Sequence, residues 1–221
     1  MDHPVTQRPT ADLELAISAA VKDYRATWQA VDMELYELCQ RKPGQQTFDD
    51  VYPKVAIIGR VYVAGISRSS RASGDREAAV ARGLVSLADM IEEALRDLAG
   101  RPFDRATTAQ AVELHGRVTR GLRQHAGGVW LTSFVSKYLH FHSSTIPIYD
   151  SLAQQSIGRF VNWQAVTGVR ASMADLPDWT RAYRNFAAAF AILHDRIGIE
   201  TSVPATVKEI DHMLWHTSAT R

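Results

Sequence analysis

The sequence predicts an all-α protein, one compact domain of eight or so helices. Three observations carry this. Apolar residues recur at three- and four-residue steps along most of the chain, the spacing of helices that bury one face. Capping residues open several of these stripes, and Gly or Pro closes them. No alternating run of useful length marks a strand; VYVAGIS, residues 61–67, is the one candidate and fits better as a helix end. No repeat with a period of 20–50 residues is visible.

Residues 1–9 read as a flexible arm and 10–221 as a single domain. Pro9-Thr10 opens a long helix carrying Ile17, Val21, Tyr24, Trp28, Val31, Leu35 and Leu38, ended by Lys42-Pro43-Gly44. A second follows Asp49-Asp50, with Pro53 in its first turn and Val55, Ile58, Val61 and Tyr62 inward. SRSSRASG, residues 67–74, reads as a loop. Asp75 caps a third helix, with a stripe from Val80 to Leu98 that Gly100 and Pro102 stop. Thr107 and Gln110 have capping-box spacing and open a fourth, through about Gln124. Ala126–Val129 is a tight turn, and Thr132 or Ser133 starts the next helix. Another opens at Asp150 and runs to about Phe160. Residues 161–177, with Trp163, are the least regular. Asp178 opens a strong helix through Trp179, Tyr183, Phe186, Phe190 and Leu193, ended by Gly198. Thr206 and Glu209 form a capping-box pattern for a last helix through Trp215, with Val207, Ile210 and Leu214 on one face.

With 221 residues, 46% hydrophobic and 22% charged, the composition is globular. The net charge of +1 argues neither for nor against nucleic acid. Local charge says more: Arg60, Arg68, Arg71 and Arg76 cluster, as do Arg117, Arg120, Arg123 and His125. Either cluster suits phosphate or a solvated helix face. One cysteine, Cys39, excludes a disulfide framework and a thiolate metal site within one chain. The N-terminus lacks a signal-peptide plan, and no apolar run is long enough to span a membrane. The expectation is a soluble cytoplasmic monomer.

Chemistry concentrates in SKYLHFHSSTIPIYDSLA, residues 136–153. Asp150 stands where a helix begins, its carboxylate at the positive helix end. It is a functional carboxylate or a plain N-cap. Upstream, Gly127-Gly128 between two helices allows a close backbone approach to a phosphate, with N–H groups at the next helix start pointing outward. An ordinary glycine C-cap has the same signature. His140 and His142 fall about 200° apart on a helix, which argues against a metal pair; no metal or cofactor is expected, and His140 reads as a pocket cap or a DNA contact.

GGVWLTSFVSKYLHF followed by PIYD resembles the helix–hairpin–helix DNA glycosylases, which place a catalytic aspartate about 20 residues after the hairpin. The helix over 55–65 and the closing IDHMLW add to the likeness. The kin it suggests are the DNA glycosylases of bacterial anti-phage defence. The resemblance implies a helix–hairpin–helix element, double-stranded DNA as partner, and base flipping into an aromatic pocket. Asp150 is then the catalytic carboxylate. Gly127, Gly128, Thr132, Ser133, Arg68 and Arg71 become DNA contacts. Arg60, Tyr62, Trp130, Tyr138, His140 and Tyr149 become the base pocket, though each aromatic suits a core equally. The hairpin departs from the family in having Trp130 for its second glycine. The Schiff-base lysine position of bifunctional members falls on Thr132; Lys137 is five residues on, roughly 140° further round. That assigns Lys137 a positioning or phosphate role in a monofunctional enzyme that leaves an abasic site, acting on damaged or modified, including phage, DNA. A non-catalytic DNA-binding module, or a binder of a small molecule or protein, are the other readings.

Overall fold

A computed structural model describes residues 10–62 and 75–219. Among these it is all-helical, with eleven α-helices and one 3-10 turn. Gly65, Ser67, Arg68, Arg71 and most of VYVAGIS lie outside the described residues.

The first predicted helix is two: α1 (Thr10–Thr27) and α2 (Gln29–Arg41), broken at Trp28. Buried Lys54 donates to the carbonyls of Lys42 and Gly44, at 2.8 and 3.1 Å, satisfying chain ends that α2 leaves unpaired. Thr47, not Asp49, caps α3 (Phe48–Val61), accepting from the Asp50 N–H. Pro53 therefore sits in the helix interior rather than the first turn, and Val61 is exposed rather than inward. Asp75 caps α4 (Arg76–Val85) as expected, but the stripe continues in a separate α5 (Ala88–Leu98). The box opening α6 (Arg105–Leu122) is Asp104–Thr107, one turn before the predicted pair: Asp104 accepts from the Thr107 N–H, and Thr107 Oγ1 from the Asp104 N–H.

A tight turn follows, with Gly127 and Gly128 at φ of 64° and 86°, backbone that side chains rarely adopt. Then come α7 (Thr132–His142), α8 (Ser151–Ile157) and α9 (Trp163–Ala171). The irregular stretch thus contains a helix, capped by Asn162. A 3-10 turn at Asp178–Thr180 leads into α10 (Arg181–Glu200), which runs past Gly198. The Thr206–Glu209 box starts α11 (Val207–Ala219) as predicted.

Helix α7 is the axis of the fold. Its eight residues Phe134–Phe141 are buried without a break. A helix covered all round has no solvent face, so its polar groups need partners inside. Those partners hold the following loop. His140 Nδ1 donates to the Ile146 carbonyl at 2.7 Å, leaving Nε2 to accept from the Tyr36 hydroxyl. Ser136 Oγ accepts from the Tyr149 N–H at 2.9 Å. From α10, Tyr183 donates to the Pro147 carbonyl at 2.7 Å. The loop is clamped at three points just before Asp150, so the carboxylate sits on rigid backbone. Helix α11 packs between α1 and α8 and brings its polar face to the same place.

Candidate functional site

A cleft of about 600 Å3 opens where the Trp28 break, the end of α3, the start of α7, the start of α8 and α11 converge. Tyr62, Trp130, Thr132, Ser133, Lys137, Tyr149 and Asp150, all singled out from the sequence, line it. Trp28, Lys208, Asp211, His212 and Trp215 line it too.

Asp150 caps α8, accepting from the Ala153 N–H at 2.8 Å through Oδ1. Its other oxygen lies 3.8 Å from Lys137 Nζ, which donates to Ser133 Oγ at 2.9 Å. The phase difference between Lys137 and Thr132 does not keep the lysine from the aspartate. Side chains on a helix lean toward its N-terminus. The long stem of Lys137 thus carries its amine back over Ser133, one turn earlier, to the end of α7 that faces Asp150. Burial holds the Lys137 ammonium below the usual lysine range, with Asp150 opposing that shift.

A second charged group forms the floor. Lys208 Nζ lies 3.2 Å from Asp211 and 3.5 Å from the fully buried Asp32. Tyr62 donates to the other oxygen of Asp32. Burial works against the Lys208 charge, but Asp211 and Asp32 together hold it above the usual lysine range. Asp211 is lifted by burial and by the facing Asp150, against the pull of Lys208. Asp211 Oδ1 is buried with no hydrogen-bond partner, which is costly. Aromatic rings make the walls: Trp28 stands 6.3 Å from Tyr62 and 6.5 Å from Trp215, centroid to centroid. His212, held by Asp23 at 2.8 Å, lies against Trp215.

Three of the predicted pocket residues lie elsewhere. Arg60 is exposed and pairs with Glu77 at 3.3 Å; two residues before Tyr62, it points about 200° away. Tyr138 is fully buried in the core, donating to Gln45 Oε1. His140 is fully buried under the loop that it clamps. Thr132 and Ser133 face the cleft, while Gly127 and Gly128 are exposed in the turn between α6 and α7. The α11 contributors were readable as a helical stripe, Lys208, Asp211, His212 and Trp215 at i, i+3, i+4 and i+7. Among the described residues no three His, Cys, Asp or Glu side chains gather to hold a metal ion, and no helix is long and apolar enough to cross a membrane. No protein-family model, curated protein or solved structure matches this chain.

Proposed function

We propose that this chain is a DNA glycosylase, which takes a damaged or modified base out of duplex DNA and breaks its N-glycosidic bond. One observation carries the reading: a carboxylate and a buried amine, Asp150 and Lys137, meet in a cleft walled by tryptophan and tyrosine rings. Flat rings suit an extruded base. Cleaving the bond builds positive charge on the deoxyribose, and a carboxylate on rigid backbone stabilises that charge without having to reorganise. At the Gly127-Gly128 turn the Gly128 N–H already bonds the Arg123 carbonyl at 2.8 Å, so a phosphate of the same strand would be met by the Gly127 N–H.

In the primary reading water is the nucleophile. Asp150 orients it and takes its proton, and the Lys137 ammonium keeps the carboxylate in place. A second reading is favoured by the burial of Lys137, which promotes the neutral amine. The neutral Lys137 Nζ then attacks the sugar C1′ as the C1′–N bond breaks and the base leaves with a proton; the C1′–O4′ bond of the resulting amine then opens, O4′ takes up a proton, and the C1′=Nζ Schiff base forms.

The test is incubation with DNAs of differing base modification, then mild alkali and a gel. Strand breaks that appear only after alkali with one modified DNA, and are lost in Asp150→Asn, support hydrolysis. Borohydride trapping of a protein–DNA adduct that Lys137→Ala abolishes replaces water by the amine. Abasic sites formed as well by Asp150→Asn as by the wild type refute both.

A further inference from the structure

The cleft is not the molecule's one concave surface. A groove of about 850 Å3 runs along the outer side of α6, between α5 and the 3-10 turn. We infer that this groove holds an unpaired stretch of DNA, continuous with the strand whose nucleotide enters the Asp150 cleft. The inference rests on the glycosylase reading for the identity of that strand; the groove's own chemistry argues for what fills it.

The groove is basic and carries no acid. Arg117, Arg120 and Arg123 line it, and no Asp or Glu does. None of the three guanidinium groups forms an ion pair among the described residues. They recur every three residues, so they share one side of the helix and span about 9 Å of its axis.

The groove also has aromatic ends. Trp130 and Trp179 are 42% and 38% exposed, large for tryptophan. Arg120 lies over the Trp179 ring at 4.4 Å, and Arg123 over Trp130 at 5.0 Å. The placement of Trp179 depends on Gly116. A Cβ there would come within 2.5 Å of Thr180 Cγ2 and 3.2 Å of Trp179 Nε1, so the glycine lets the 3-10 turn press against α6.

Rings and guanidinium planes bind the flat faces of bases, which paired DNA hides inside its stack. Duplex would use the three charges and leave the rings idle; an unpaired strand uses both. Trp130 lines the groove and the Asp150 cleft alike, so one strand can pass from one to the other around this ring.

The test compares a labelled, fully paired duplex with the same duplex holding a short unpaired bubble, by fluorescence anisotropy. The full chain should bind the bubble at least tenfold more tightly, the scale of one base stacked on one ring. Trp179→Leu should remove most of that preference and leave duplex affinity within about twofold. Arg120→Gln, on the exposed surface, should weaken bubble binding more than duplex binding, which keeps the test sound if the tryptophan variant folds poorly. Equal affinity of the wild type for both DNAs, or a preference that survives both substitutions, overturns the inference. Base release is scored separately on the wild type. Release without a bubble preference sinks the groove alone, and a Trp179-dependent preference without release sinks the glycosylase reading alone.

Discussion

Replacing Asp150 by asparagine separates what this residue does for the fold from what it does for chemistry. Asparagine caps helices as well as aspartate, so the bond from the Ala153 N–H and the start of α8 should persist. What disappears is a negative charge 3.8 Å from an amine whose side chain is 8% exposed. Removing one partner of a buried ion pair costs about 3–5 kcal/mol. Two features reduce that here. Asp150 is 24% exposed, so water screens the pair. Lys137, already below the usual lysine range through burial, escapes part of the penalty by shedding its proton. A loss of about 1–3 kcal/mol at pH 7 is expected. Its pH dependence is the sharper signature. Without Asp150 the folded-state pKa of Lys137 falls further below its unfolded value. The unfolded chain then binds more protons between the two, so the variant's stability rises with pH across that window relative to the wild type. Urea unfolding should show a deficit at pH 7 that shrinks as pH rises toward the unfolded lysine value of about 10.4. Single-turnover base release should fall by about 10²–10³-fold. A stability deficit that ignores pH would refute the Asp150–Lys137 coupling, and wild-type release would refute the catalytic role.

Tyr62→Phe removes the hydroxyl that donates to buried Asp32; losing a hydrogen bond to a buried charge should cost about 1.5–3 kcal/mol, read as a lower urea midpoint with an unchanged slope. Gly128→Asp puts a side chain on backbone at φ 86° and a negative charge at the turn; DNA affinity should drop more than tenfold, with a stability loss of about 1–2 kcal/mol, whereas intact affinity would remove the turn from the interface. His115 and His140 are buried, which lowers their pKa values to about 4 and about 3, below the unfolded value of about 6.5. Their stability contribution, with that of part-buried His142 (lowered to about 3 in the same way), is complete above that unfolded value and is lost as pH falls toward the folded ones; the three together should remove about 3–4 kcal/mol between pH 7 and 5.5, measured by urea unfolding at both.

The fold class and about half of the eleven helix starts are legible along the chain. Caps and apolar stripes are local, because a side chain three residues on either reaches the backbone N–H or does not. Asp75, Asp150 and the Thr206–Glu209 box were therefore legible. Breaks inside a continuous stripe were not: Trp28 and Ser86–Leu87 interrupt helices whose apolar period continues, because packing against other elements sets the bend. The site divided the same way. Asp150 was readable as the cap of α8, and the tertiary structure brings it to the cleft. Whether an aromatic or basic residue faces the cleft depends on neighbours distant in sequence. Tyr138 turns to Gln45 and Arg60 to Glu77, while Lys137 leans back one turn to reach Asp150. In the second charged group, Lys208 and Asp211 share one face of α11, but nothing along the chain pairs them with Asp32 of α2. Only tertiary structure decides such a group, because a buried charge is tolerated where its partner arrives, and that partner comes from the far end of the sequence.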